Sequence, residues 1–423
     1  MPGHKGIGQL NCEKYDITEV KDADSLYEAE GIICLSEKNA SELFGCDTYY
    51  STEGSSHCIR TMLFLLSLYA KEKGLAPTIL SARNVHKSFL SAVSLTDIEV
   101  EWLYSSNNSY LSCNINAVEL DAALNEMSVK PVALYLTSPD YLGNVLDIAS
   151  IAEVCHKHGI LLIVDNAHGA YLKFLKSSLH PVDCGADMCC ASAHKTLPVL
   201  TGGAYLQLSD DLSAMFKDRL KDALGLFGST SPSYLTLASL DLANKYIAEG
   251  YETKLNDIIV RISYLKSMIK DLGIELLPSD PLKITFKTKS YGYTGFAFAD
   301  LLRTKNIECE FADNDFVVLM LSPENDENDL NVLKEAIVSV PKGSSLVSDC
   351  PIFEKAIKSI SVKEAIFSLN ETVNVAESQG RILADTCVSC PPAVPVLMPG
   401  EVITDESIKI FEYYGIYKLK VVK

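Results

Sequence analysis

From Gly54 onward the apolar positions follow two alternating rhythms. Ser55–Lys73 places Met62, Leu63, Leu66 and Tyr69 on one helical face. Pro77–Ala82 is a short apolar run that predicts a strand, and Val129–Thr137 predicts a second, buried one. Asp147–His158 returns to helical spacing. Ile160–Val164 (ILLIV) is apolar without interruption, and Asp187–Ser192 ends a similar run. Near-continuous apolar strands separated by helices predict a mostly parallel sheet covered on both faces. Helical spacing then extends from about Asp211 to Leu272, with a break near Gly228–Pro232. A strand–helix–strand unit follows (Leu282–Thr288, Gly295–Lys305, Phe316–Leu321), then a helix at Glu327–Val338. Pro341–Ser345 has the composition of a linker, and the remainder holds a helix at Ser361–Leu369 and a Pro-rich passage. The expected organisation is an N-terminal segment with a large α/β domain (1–250), a small α/β domain (251–340) and a C-terminal domain (341–423).

Composition narrows the class. The chain has 423 residues, 48% apolar and 22% charged, enough for two or three globular domains. A net charge of −18 argues against nucleic acid and against an anionic membrane surface as partners. No apolar run reaches the ~18 residues that cross a bilayer, and the polar start MPGHKGIGQLNCEKYD is not a secretory signal. Thirteen cysteines, several in apolar runs (Cys34, Cys155, Cys189, Cys190), fit reduced thiols and a cytoplasmic setting. Cys387–Cys390 is a lone CxxC and Cys155–His158 lies on a helical pattern. Neither supplies four converging ligands, so no metal is expected.

The chemistry gathers where strands end, the place where open parallel sheets bind ligands. Asp165 follows ILLIV, Ser192-Ala-His194-Lys195 follows another strand, and Gly54-Ser55-Ser56 opens a helix whose free N–H groups and dipole suit a phosphate. A phosphate cradle, a strand-end carboxylate and a strand-end lysine together suit pyridoxal 5'-phosphate. The lysine bonds its aldehyde, and the carboxylate keeps the pyridine nitrogen protonated. Each element has a plainer reading as well. Lys195 could be a solvated strand end, Asp165 a turn cap, and Ser55-Ser56 a helix cap. His57 and His180 read as exposed.

MPGHKG (1–6), TEGSS (52–56), RNVHKS (83–88), TSPDYLG (137–143), VDNAHGAY (164–171), SAHKTLPVLTGG (192–203) and CPPAVPVLMPGE (390–401) resemble the signature segments of the Orn/Lys/Arg decarboxylases, in register over nearly the whole chain. The resemblance is to the short, wingless branch of this family. It implies the type I pyridoxal-phosphate fold, with a mostly parallel large domain and smaller α+β C-terminal domains. It implies Lys195 as the Schiff-base lysine, Asp165 on the pyridine nitrogen, Ala167 under the ring and His86 stacked above it. Ser55, Ser56, Ser192 and His194 would bind the phosphate. His86 could instead be a solvated loop residue, and His168 either caps a turn or touches the cofactor. Glu401, after the Pro399-Gly400 turn, would meet the distal cation of a basic substrate; the alternatives are a cap for a helix near Asp405 or plain exposure. A homodimer with active sites at the subunit boundary is implied too, with MPGHKG near that boundary or else a flexible terminus.

The expected activity is decarboxylation of arginine, lysine or ornithine to an amine and CO₂. The rivals are another type I enzyme (aminotransferase or β-eliminating lyase) and a silent homologue with a binding role. The family usually has Asp at Ala82, Glu or Ser at Asn166 and Asn at Ile59. The stretch between Tyr104 and Ile115 also lacks the usual glycines. These departures spare the cofactor groups and leave the substrate preference open.

Overall fold

The computed structural model describes residues 1–104, 110–346, 351, 354–385 and 394–423. Cys387 and Cys390 of the CxxC lie outside these. In chain order the first part runs α1 (Ile32–Phe44), β1 (Asp47–Ser51), α2 (Ser55–Lys73), β2 (Thr78–Ala82), α3 (Lys87–Thr96), β3 (Glu99–Leu103), α4 (Ala117–Glu126), β4 (Ala133–Thr137) and α5 (Ile148–Lys157). It continues through β5 (Leu161–Asp165), β6 (Met188–Ala191), the single turn α6 (Ala193–Thr196), β7 (Ala204–Leu208), α7 (Asp210–Phe216), α8 (Leu220–Phe227) and α9 (Tyr234–Ala248).

These strands make a seven-stranded sheet in the order β1-β7-β6-β5-β4-β2-β3. Pairing is parallel from β3 through β6, while β7 is antiparallel to both β6 and β1. The two reversals restore the direction of β1. Its C-terminal end therefore lies on the same edge as the ends of β2, β4, β5 and β6. Alternate residues of the central strands point into different cores. Tyr135 and Ile163 pack with α2, α3 and α8, whereas Leu134, Leu136, Leu162 and Val164 pack with α4 and α5. Both faces are buried, which is why ILLIV shows no polar alternation.

α10 (Tyr251–Asp271) leads to a second, antiparallel sheet of β8 (Glu275–Leu277), β9 (Lys283–Lys287), β10 (Phe311–Ala312) and β11 (Phe316–Met320), in the order β10-β11-β9-β8. α11 (Gly295–Arg303) and α12 (Glu327–Val338) accompany it. The chain ends with α13 (Val362–Phe367), β12 (Asn370–Asn374), α14 (Asp405–Tyr413) and β13 (Lys418–Val422), the two strands pairing antiparallel.

The structure departs from the sequence reading at several points. The Asp211–Leu272 stretch is four helices; besides the expected break it is interrupted after Phe216 and at Gly250, which takes φ +102°. His57 and His180, expected to be exposed, are fully buried. Burial is possible because each ring has a partner. His57 lies 2.8 Å from both the Ser51 hydroxyl and the Leu224 carbonyl oxygen, and His180 Nε2 lies 2.9 Å from Gln207 Oε1. Among the described residues, no helix is long and apolar enough to cross a membrane.

Two glycines let backbone meet backbone at the active edge. Gly54, with φ +76°, donates its N–H to the Gly202 carbonyl at 2.7 Å. Gly202 takes φ +93°, and a Cβ there would lie 2.4 Å from the Thr52 carbonyl oxygen. Gly202→Ala should therefore cost about 1–3 kcal/mol of stability, through strain rather than lost contacts. A denaturant midpoint equal to that of the parent would show that the loop absorbs the methyl.

Candidate active site

β5 ends in Asp165, which is only 2% exposed. Its Oδ1 accepts from the Ala167 N–H at 3.1 Å, and the Tyr135 hydroxyl donates to Oδ2 at 3.4 Å. Burial pushes the carboxyl pKa up, and the charge of Lys195 opposes this. A carboxylate in this position needs a cationic partner.

Lys195 enters from the turn that follows β6. The Ser192 N–H donates to the Ala167 carbonyl at 3.3 Å, which ties this turn to the loop beyond β5. Lys195 Nζ lies 2.7 Å from His168 Nε2. Burial holds the His168 pKa far below its ordinary value, with Lys195 adding to the effect, so the imidazole is neutral. Nε2 then accepts from the lysine and the ring proton sits on Nδ1, which is buried and has no hydrogen-bond partner among the described residues. The Tyr141 ring packs on His168 at 4.9 Å, with Lys195 Nζ 5.6 Å from its centre.

The β2 end supplies His86, which caps α3 by accepting the Ser88 N–H on Nδ1 at 3.2 Å. Its pKa is pushed down to about 4 by burial first, then by Lys195 and Lys87, so it too is a neutral plate at pH 7. The Ser88 hydroxyl lies 2.7 Å from His86 Nδ1 and 2.5 Å from the Ser56 hydroxyl. This links His86 to the start of α2. That 19-residue helix opens on Gly54 with no side-chain cap, and the His57 N–H turns back to the Gly54 carbonyl at 3.1 Å.

Ser55, His86, Asp165, Ala167, His168 and Lys195 line one cavity. The structure brings these six expected residues together from four strand ends. Ser56, Ser192 and His194, expected on the phosphate, are not among its lining residues. His194 is held by its Nδ1, 3.0 Å from the Gly203 carbonyl oxygen. The sequence reading gave no role to Asn84, Thr137 and Tyr141, which also line the cavity. All three sit inside the quoted RNVHKS and TSPDYLG segments, so the signal was present but not resolved to single residues. Tyr135, hidden in an apolar strand, gave none.

The cavity wall fits pyridoxal phosphate. Asn84 Oδ1, Thr137 Oγ1 and His168 Nδ1 are buried polar atoms without partners among the described residues, and such atoms call for a polar guest. Asp165 has Lys195 as its cation among the described residues, and the uncapped helix start suits an anion.

Glu401 is 2% exposed, so it is not a solvated residue, and α14 is capped by Thr404 instead. Its two oxygens accept from Arg83 Nη1 at 2.6 Å and Nη2 at 2.9 Å, and Oε2 also accepts the Met398 N–H at 2.8 Å. Arg83 stacks near Tyr104, 4.9 Å from the ring centre. This bidentate pair joins the C-terminal segment to the loop that carries Asn84 and His86.

A parallel-stranded sheet with this lysine–aspartate–histidine edge defines a fold type I enzyme, the architecture of pyridoxal-phosphate chemistry. Residues 7–277 match the Orn/Lys/Arg decarboxylase major domain and residues 354–419 its C-terminal domain. The chain belongs to the Orn/Lys/Arg decarboxylase family and so to the amino acid carboxy-lyases. It is 33% identical to the uncharacterized protein YaaO of Bacillus subtilis over 93% of this chain and 84% of that one. It is 30% identical to an arginine decarboxylase of the same organism over 96% and 88%. The fold matches the crystal structure of the Francisella novicida lysine decarboxylase with a TM-score of 0.80 at 18% identity, covering 100% of this chain and 78% of the other.

Glu401→Gln leaves the Arg83 cation without a counter-charge. Arg83 keeps 14% side-chain exposure, so the loss should sit near the lower end for a broken buried pair, about 3 kcal/mol. Chemical denaturation measures it. A change under about 0.5 kcal/mol would mean that the pair contributes no more than a surface contact.

Proposed function

We propose that the chain decarboxylates a basic amino acid, arginine, lysine or ornithine, with pyridoxal 5'-phosphate as cofactor. The observation that carries this reading is the convergence of Lys195, Asp165, His86 and the start of α2 on one cavity. Lys195 would bond the cofactor aldehyde, Asp165 would pair with the pyridine nitrogen, and His86 and Ala167 would cover the two faces of the ring. Ser55, Ser56, Ser192 and His194 would hold the phosphate. When bound, the cofactor supplies an electron sink for the pair left when CO₂ departs.

The residues divide the remaining work. Asp165 would keep a bound pyridine nitrogen protonated, because burial makes an unpaired carboxylate costly. His86, neutral and packed over the α2 start, excludes water. Lys195 and neutral His168 form a proton-holding pair, able to deliver a proton to the carbon that loses CO₂ and to take one back. The arginine decarboxylases at about 30% identity support arginine as the first substrate to assay. Glu401 stays in this proposal as a buried acid of the C-terminal segment, with its orientation set by Arg83. A homodimer that completes the site and a cytoplasmic location belong to the same proposal.

Lys195→Ala should abolish CO₂ release from all three amino acids and remove the visible absorbance of the bound cofactor. Turnover retained by this variant would end the assignment, and release of keto acid by the parent instead of CO₂ would favour an aminotransferase. Asp165→Asn should leave the fold intact and lower kcat by several orders of magnitude. A loss below tenfold, or ~1.4 kcal/mol, would make Asp165 structural. If Glu401 meets the distal cation, Glu401→Gln raises KM about ten- to a hundredfold with the cofactor spectrum unchanged. An unchanged KM for all three amino acids removes it from the substrate site.

A further inference from the structure

Lys283 opens β9 of the second sheet and is only 1% exposed. Its Nζ donates to the Asp140 carbonyl at 2.8 Å and lies 3.4 Å from Asp280 Oδ2. Asp280 is braced in turn, accepting the Tyr171 hydroxyl at 2.6 Å and the Leu282 N–H at 3.1 Å on Oδ1.

Two more bonds cross to the same loop. The Thr285 hydroxyl donates to the Leu142 carbonyl at 2.7 Å, and the Asp280 N–H donates to the Gly143 carbonyl at 2.7 Å. Gly143, at φ +87°, allows this approach, since a Cβ there would stand 2.8 Å from Ser279 Cβ. Three of the four carbonyls from Asp140 to Gly143 are thus held by the second sheet. The remaining residue, Tyr141, turns its ring onto His168 and Lys195.

We propose that Lys283 is a positioning residue that pins the Asp140–Gly143 loop from the second sheet and so sets Tyr141 against His168 and Lys195. The Asp140 carbonyl also accepts the Gly143 N–H at 3.0 Å within the loop, so Lys283 supplies its second bond, the one that reaches across from β9. The ammonium is balanced by Asp280, whose own position is fixed by Tyr171. The charge also adds to the forces that hold His168 neutral, after burial and Lys195. The kinetic consequence rests on the decarboxylase reading; the structural one does not.

The test compares Lys283→Met and Lys283→Arg in the full chain. Amide hydrogen exchange, measured without cofactor, should rise about tenfold or more in residues 138–144 of Lys283→Met while β4 and β5 stay protected. In the cofactor-loaded protein kcat should fall about tenfold or more with KM changed less than about twofold. Lys283→Arg, which keeps the charge and a donor, should recover part of both. Parent-like exchange in 138–144 of Lys283→Met overturns the proposal, and so does an arginine variant no better than methionine. If Lys283→Met fails to fold, Thr285→Val removes one of the same clamp's bonds without touching charge. It should raise exchange in 138–144 alone, and parent-like exchange there overturns the proposal equally. If the parent itself releases no CO₂, the decarboxylase reading has failed and the exchange results alone decide.

Discussion

A carboxylate buried at the end of a central strand is the constraint on which the site depends. Asp165 sits on the edge where all the parallel strands stop, 2% exposed, with three neutral donors (the Ala167 N–H, the Tyr135 hydroxyl and the Cys190 thiol) and the charge of Lys195 to compensate it. Burying such a charge is costly unless a cation answers it. The rest of the edge is arranged around that need. The β6 turn returns a lysine to the same cavity, and two histidines there are kept neutral by burial so that they add no competing charge. The uncapped start of α2 faces the opposite requirement, an anion. One zwitterionic guest satisfies both.

The edge is held from outside as well as from within the large sheet. Arg83 and Glu401 fasten the His86 loop to the C-terminal segment, and Lys283 and Thr285 fasten the Tyr141 loop to the second sheet. Loops at strand ends are the mobile parts of an α/β enzyme, and here two of them are tied by buried, charge-assisted bonds. The catalytic geometry is therefore a property of the whole chain.

Much of the large sheet was legible because its central strands are buried on both faces. ILLIV and the run before Lys195 carry no polar alternation, and the helices between them keep helical spacing. β1 (DTYYS) and β7 (AYLQL) were not anticipated. Each mixes polar and aromatic residues, and their antiparallel pairing leaves no composition signal. Lys195 and Asp165 were legible as strand-end polar residues, whereas His86 came only from the resemblance of RNVHKS to a family segment. Arg83–Glu401 was not, since its partners lie 318 positions apart and sequence shows Glu401 only as an acid after a turn. His57 and His180 misled for a related reason: a carbonyl or amide partner that makes burial tolerable is set by tertiary packing.

The central claim is that Lys195 is the residue that holds the cofactor, and covalent trapping tests it most directly. The full chain is incubated with pyridoxal phosphate, reduced with borohydride, digested and mapped by mass spectrometry. A phosphopyridoxyl group is expected on Lys195 at close to one per chain, lost in Lys195→Ala without transfer elsewhere. Labelling spread over surface lysines, or concentrated on another lysine, would contradict it.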